Sequence, residues 1–158
     1  MSPAVPQTER TALEDPGHFV WQGNVSPNGR WLAFNAQRSD EIAQAGIYVA
    51  RSGAPLSEWV RMAPDHKAAD KPRWSPGGRM LYFLSNHGSS FWNLWGLRFD
   101  PDRGAAVGAP FVLTTFNSPD LVIPTALPDL ELGISARRAL LTLATIKGNI
   151  WMLEKVDR

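Results

Sequence analysis

The chain of 158 residues contains no cysteine. That absence excludes disulfides, iron–sulfur clusters, thiolate zinc sites and a cysteine nucleophile together. An excess of charge of one sign is also lacking, because 16 Lys and Arg residues are balanced by 15 Asp and Glu residues, which gives a net charge of +1. Without a basic surface to neutralise phosphates, we do not expect nucleic-acid binding.

Long apolar segments are missing too. The longest apolar stretch, residues 139–146, is interrupted by threonine and is too short to span a bilayer. The N-terminus has no apolar core of signal-peptide length. We therefore expect a cytoplasmic protein, or a periplasmic one if a leader was removed. Direct membrane insertion is not expected, and peripheral association through a partner is left open.

What the chain does contain is a repeated pattern of short apolar segments. A serine-containing box followed by an apolar run occupies residues 26–34 and 75–83, and a degenerate copy occupies residues 135–143. Each copy is followed by a second short strand with a large residue near its centre, at residues 46–50, 93–97 and 149–153. Repeats at this spacing have about the size of a four-stranded propeller blade, roughly 40–50 residues.

The boxes predict tight turns at Asn28-Gly29 and Gly77-Gly78, where glycine tolerates a positive φ. The apolar runs that follow are nearly continuous, which predicts strands covered on both faces. Fourth strands are predicted at residues 58–62 and 111–116, and no segment has a sustained helical period. The predicted core residues are Trp31, Phe34, Leu81, Phe83, Leu94, Leu141, Leu143 and Ile150.

The box at residues 74–79, the pair Tyr82-Phe83 and the segment Asn93-Leu94-Trp95 resemble the blade repeat of TolB-type β-propellers, over about residues 23–155. The resemblance implies an all-β fold. Because a closed ring needs four to eight blades, it implies an incomplete, open β-propeller of about three antiparallel blades. Residues 1–17 are then an N-terminal tail or linker, and residues 18–158 are the propeller fragment, with a Pro-rich insertion at 117–130.

No catalytic nucleophile is convincing. Ser75 lies in a Trp-Ser-Pro-Gly-Gly sequence, but Arg73 occupies the position where a nucleophile elbow needs a small residue, and a strand rather than a helix follows. We expect the Ser75 hydroxyl to bond to the backbone of its turn. No pair of carboxylates recurs in a way that suggests acid–base catalysis, so we predict that the protein is not an enzyme.

Metal and cofactor sites are not predicted either. His18, His66 and His87 are far apart in sequence and lack the spacing of metal ligands, so we expect surface or loop histidines. Residues 100–104 carry two carboxylates but lack the distal glutamate of a calcium loop, which predicts a simple turn. No phosphate-binding loop is present in the sequence.

The segment 117–130 combines three prolines with apolar residues, so it suits neither an interior strand nor an idle solvent loop. It either buries its side chains on its own protein or docks on another chain. The outer face of the first sheet and the edge near residues 149–153 are further expected contact surfaces. The candidate partner-binding residues are Leu121, Val122, Ile123, Pro124, Leu127 and Trp151.

Repeat units gain stability by stacking on neighbours, and an open arc leaves two sheet faces uncovered. The sequence therefore predicts a non-enzymatic interaction or scaffold subunit that joins another protein in a larger hetero-complex. The TolB-type resemblance implies two alternatives. One is a C-terminal sensor or regulatory module of a bacterial regulator or kinase, and the other is the propeller part of a peptidase that lacks its catalytic domain.

Overall fold

The structure is a computed structural model that describes residues 9–40, 45–124 and 131–148. Within these ranges the chain forms three antiparallel sheets, none of which is closed. The first sheet has four strands in chain order, β1 (His18–Val25), β2 (Leu32–Arg38), β3 (Gly46–Ala50) and β4 (Val60–Arg61). The second repeats this order with β5 (Ala69–Trp74), β6 (Met80–Ser85), β7 (Asn93–Asp100) and β8 (Ala105–Val112). The third is a hairpin of β9 (Leu132–Ile134) and β10 (Ala139–Leu141).

The all-β, antiparallel prediction is confirmed. A short 3₁₀ helix, Leu56–Glu58, precedes β4, and the described ranges contain no α-helix. The predicted fourth strand at residues 58–62 contains β4, but the one predicted at residues 111–116 is wrong. The Asp100 carbonyl accepts a hydrogen bond from the Gly104 amide at 2.8 Å, so the chain reverses early and β8 starts at Ala105. The strand predicted at residues 149–153 lies outside the described residues.

The two complete boxes form the same turn. The amide of Ser26 donates to the carbonyl of Trp31 at 2.8 Å, and the amide of Ser75 donates to the carbonyl of Met80 at 2.9 Å. Gly29 and Gly78 adopt the positive φ that these turns need, at 70° and 67°. The third box closes faster, because its serine amide, that of Ser135, donates only three residues ahead. Loss of the Pro-Gly sequence therefore shortens the turn and keeps the hairpin.

The first strand of each four-stranded sheet contains the same irregularity. Gln22 and Lys71 have φ of 54° and 56°, a region that non-glycine residues rarely adopt. Each lies four residues before its box serine, and the pairing register with the second strand shifts there in both sheets. The structural repeat thus includes a β-bulge that the sequence comparison does not reveal.

The main core lies between the first and second sheets. Alternating residues of β2 and β3 face it from one side, including Ala33, Ile47 and Val49, and Leu81 and Phe83 face it from β6. The opposite faces of these strands are also covered, since Phe34 belongs to a second cluster and Leu84 to a third. The prediction of strands covered on both faces is therefore confirmed for β2 and β6.

Most of the predicted core residues are in these clusters. The prediction of a buried side chain is wrong for Leu143, which is 41% exposed. After β10 the chain leaves the hairpin, and Ala144 pairs with Val122, so Leu143 does not lie between sheets. Leu141 is partly buried, and Ile150 lies outside the described residues. The residues confirmed as buried are Trp31, Phe34, Leu81, Phe83 and Leu94.

Two indole groups link the first sheet to the second. Trp31 Nε1, just before β2, donates to the carbonyl of Pro101 at 2.8 Å. Trp74 Nε1, at the end of β5, donates to the carbonyl of Asn24 at 2.9 Å. We call these two bonds the indole clasps. They satisfy buried donors and fix the relative position of the sheets.

The outer face of the first sheet is partly covered by the chain itself. Trp59 packs edge-to-face on Phe34, with ring centroids 4.9 Å apart, and Leu13 adds to the same cluster. The carbonyl of Ala12 accepts from the amide of Gly53, so part of the segment assigned to the N-terminal tail packs on this sheet. No helix among the described residues is long and apolar enough to cross a membrane.

Candidate functional site

Of the predicted partner-binding residues, the structure buries some and exposes others. Val122 and Ile123 are 3% and 2% exposed, and Ile123 packs against the second sheet in the third cluster. Their side chains are therefore committed to the protein's own core. Leu121 is 47% exposed and Pro124 is partly buried. Leu127 and Trp151 lie outside the described residues.

The predictions of turn contacts for Ser75 and of a simple turn at residues 100–104 are confirmed. The Ser75 hydroxyl accepts the amide of Met80 at 3.1 Å, as expected for a residue that bonds to its turn. The Asp100 carboxylate accepts the amides of Asp102 and Arg103 at 2.9 and 3.1 Å. These bonds lower the pKa of Asp100, with the Arg103 bond as the largest cause. Residues 100–104 thus form a turn stabilised by its own first side chain.

The most developed site is a cavity that the sequence did not suggest. It has a volume of about 180 Å³ and lies beside the second sheet, where His66, His87 and Trp95 line one part and Ala109 and Pro110 of β8 line another. The imidazole rings of His66 and His87 stack with centroids 4.2 Å apart. The Trp95 ring stands nearly perpendicular to that of His66, at 4.5 Å and 89°. We call this the histidine pocket.

Hydrogen bonds fix how each ring presents its nitrogens. The Ser85 hydroxyl donates to the carbonyl of Ala68 at 2.6 Å, so the bond of 2.9 Å between Ser85 Oγ and His66 Nδ1 has the imidazole as donor. His87 Nδ1 lies 3.0 Å from the carbonyl of Asp65 and must also donate. Neutral imidazole has one N–H, so both neutral rings leave Nε2 as an acceptor.

His66 lies in the loop between β4 and β5, as predicted, but it is buried and not at the surface. That residue is 3% exposed, and burial lowers its pKa to about 4, with the nearby charge of His87 adding to the effect. His87 is exposed and lies in a loop, as predicted. The surface-or-loop prediction is wrong for His18, which begins β1, is partly buried and bonds to Asp15 at 2.8 Å. Because the lowered pKa keeps the His66 imidazole neutral at pH 7, its Nε2 atom remains a hydrogen-bond acceptor.

A second feature is apolar exposure along the outer strand of the second sheet. Four large apolar side chains within residues 105–113 are 39–49% exposed. Grouped exposure of this kind is uncommon on a monomeric protein. Gly108 has φ 76°, and the pairing register with β7 shifts there. We call these residues the outer-strand patch: Val107, Phe111, Val112 and Leu113.

No family model and no curated protein matches this chain. The TolB-type resemblance therefore stays a hypothesis that rests on the sequence boxes. The geometry of the site is the remaining guide to function. Among the described residues, no group of three or more His, Asp or Glu side chains is placed to hold a metal ion.

The bulges of the first strands enclose buried polar atoms. Gln22 Oε1 and Asn35 Oδ1 are buried and have no hydrogen-bond partner in the described ranges. Asp70 lies 5% exposed beside its bulge, and burial raises the pKa of its carboxyl while the Lys71 amide and charge oppose that rise. Unpaired groups of this kind cost free energy, so the bulge is a polar site inside the core.

The buried imidazole predicts a dependence of stability on pH. The unfolded chain binds a proton at His66 near pH 6.5, whereas the folded state resists protonation down to about pH 4. Between pH 7 and 5 we therefore expect the free energy of unfolding to fall by about 1–2 kcal/mol. The raised pKa of Asp70 has the opposite sign, because the folded state gains that proton more easily as the pH falls. Urea titrations at pH 7, 6 and 5 measure the change.

The matched control for this experiment replaces a histidine elsewhere. His66→Gln should flatten the pH dependence, whereas His18→Gln should keep most of it. An equal slope in the His66→Gln protein would show that other groups cause it. A loss that appears only below pH 4 would point to carboxylates instead.

Proposed function

We propose that the protein is a non-enzymatic interaction subunit, an open propeller-like arc whose second sheet binds another protein. The observation that carries the proposal is the outer-strand patch. Its four side chains cluster within seven consecutive residues of one edge, and each is at least 39% exposed. Apolar side chains grouped in this way are typical of contact surfaces, whereas single exposed ones are common on any protein.

The backbone of this strand supports contact through side chains. Gly108 and Pro110 interrupt the pairing, and proline has no amide hydrogen to offer an added strand. Such features protect a sheet edge from unselective pairing. Phe111 and Leu113 point to one face of the strand and Val112 to the other, so a partner would pack around this edge against both faces instead of extending the sheet.

The open architecture points the same way. The sheets follow the same four-strand order with the same bulge and turn, which is how propeller blades are built. The described sheets do not form a closed ring, and no other described sheet stacks beyond the first sheet or beyond the hairpin of β9 and β10. The second sheet lies between the first sheet and the hairpin, so a partner would reach it along β8, where it would bury the outer-strand patch.

Site-specific crosslinking tests this proposal. A photoreactive amino acid at Leu113, within the patch, should capture a specific protein at near-stoichiometric yield in an extract of the source cell. The same amino acid at Phe19 is the matched control, because Phe19 is 62% exposed on the first sheet. A Phe111→Ser and Val112→Ser double variant should reduce the Leu113 capture at least tenfold and should lower the melting temperature by only a few degrees, because both side chains are partly exposed.

Two results would contradict the proposal. One is capture of the same protein set at Leu113 and Phe19, which would indicate unselective sticking. The other is full capture by the double variant, which would place the contact away from the patch.

A further inference from the structure

We propose that the histidine pocket binds the head group of an alkyl guanidinium or primary ammonium ion through two imidazole acceptors. Two observations carry this: the fixed donor role of both Nδ1 atoms, and a cavity of about 180 Å³ that both rings line. Among the described residues no hydrogen bond to His66 Nε2 is found, and this atom is not one of the fully buried unpaired atoms, so a ligand in the cavity can reach it. An imidazole acceptor that opens on a cavity matches a ligand that donates hydrogen bonds.

The rest of the lining indicates a cation. The Trp95 indole N–H donates to the Ser85 carbonyl at 3.2 Å, so Trp95 offers its ring to the cavity. An aromatic face attracts a cation, and the Asp65 carboxylate at the cavity wall adds a negative charge. A guanidinium ion has several N–H donors in one plane and no acceptor, which complements two imidazole acceptors.

A transition metal would use the same two nitrogen atoms. The described residues supply no third His, Asp or Glu ligand close enough to complete a site, which disfavours this occupant. An anion is also disfavoured, because the pocket offers acceptors and a carboxylate. Metal binding is an outcome of the test below.

The source of the cation is either a free small molecule or an Arg or Lys side chain of a partner. Ala109 and Pro110, which line the pocket, lie between Val107 and Phe111 of the outer-strand patch. A protein docked on that patch could therefore insert a basic side chain. The partner source rests on the proposed function, whereas the acceptor chemistry does not.

The experiment uses the full chain and long-range proton–nitrogen NMR of its imidazoles at pH 7.5. The free protein should show the Nδ1–H tautomer for His66. N-ethylguanidinium should then shift His66 and His87 Nε2 in a saturable way with a millimolar Kd, in keeping with so small a ligand. His18 Nε2 should not move. Tetramethylammonium, a cation without N–H donors, should bind at least tenfold more weakly.

Variants separate binding from folding. His87→Phe keeps a stacking ring at an exposed position and removes one acceptor, so it should weaken N-ethylguanidinium binding at least fivefold with little change in melting. His18→Phe is the matched control and should bind as the parent does. A peptide with one arginine between two glycines that binds tenfold more tightly than N-ethylguanidinium would identify a protein side chain as the source. Equal affinity would identify the head group alone.

Several outcomes would overturn the inference. They are an Nε2–H tautomer of His66 in the free protein, no saturable shift with N-ethylguanidinium, equal binding of tetramethylammonium, or stoichiometric Zn²⁺ binding that shifts both Nε2 atoms. None of them depends on the crosslinking result at Leu113, so failure of the pocket and failure of the partner surface are distinguishable.

Discussion

Replacing Phe83 with alanine should lower the free energy of unfolding by about 3–5 kcal/mol, the usual cost of removing a fully buried phenylalanine. The Phe83 side chain is 0% exposed within the cluster between the two four-stranded sheets. It also packs edge-to-face on His66 at 5.3 Å, so truncation would open a cavity between a sheet and a loop. A urea titration of the variant and the parent at pH 7 measures the loss.

Phe111→Ala is the matched control, because Phe111 is on the same sheet but is 39% exposed. It should cost about 1 kcal/mol or less. Similar losses in the two variants would show that the buried and exposed faces of the second sheet are assigned incorrectly. So would a loss below about 1 kcal/mol for Phe83→Ala.

The second large effect is expected at Gly104, in the turn between β7 and β8. Its φ is 68°, and an added Cβ would overlap the ring of Trp31, which one of the indole clasps holds in place. Strain at positive φ costs roughly 1–2 kcal/mol and overpacking about 1–3 kcal/mol. Gly104→Ala should therefore destabilise the protein by about 2–5 kcal/mol in a urea titration.

Gly29→Ala separates the two causes. Gly29 has nearly the same φ, 70°, but an added Cβ there would meet nothing within 4 Å. It should show the backbone cost alone, about 1–2 kcal/mol. If Gly104→Ala cost no more than Gly29→Ala, the Trp31 ring would have room to move, and the clasp would not be rigid.

The sequence predicts the strands and turns well because their causes are local. A Ser-Pro-x-Gly box specifies a turn through one serine and one glycine, and the continuous apolar run after it reflects burial on both faces. The β8 prediction fails for a local reason too. The sequence shows the turn that begins at Asp100, but the apolar residues that suggest a strand come later, at 111–116. In the structure β8 instead starts directly after the turn.

The histidine pocket was missed although the register contains a signal for it. Pairing around the turn at Gly77-Gly78 places Ala69 opposite Ser85. Continued three residues outward, the same pairing puts His66 opposite Gly88, the neighbour of His87. Loop histidines far apart in sequence are thus neighbours in the hairpin. The burial of His66 could not be predicted, because it depends on Trp95 and on Ala109 and Pro110 of β8, which line the same cavity.

The Pro-rich segment at residues 117–130 shows a second limit of prediction from sequence. An apolar sequence with prolines indicates that side chains need cover, but it does not say which surface supplies it. The Ile123 side chain packs on the second sheet, and the Val122 backbone pairs with that of Ala144. Both choices depend on contacts between residues distant in sequence, which a local pattern does not encode.

The indole clasps have a consequence for the order of folding. Each sheet pairs strands that are consecutive in the chain, so its hairpins close short loops, whereas the clasps join residues 70 and 50 positions apart. Long loops close late because their entropic cost comes before their contacts form. We expect the sheets to form before they dock. Trp31→Phe, which removes the clasp donor, should then accelerate unfolding much more than it slows refolding in stopped-flow measurements.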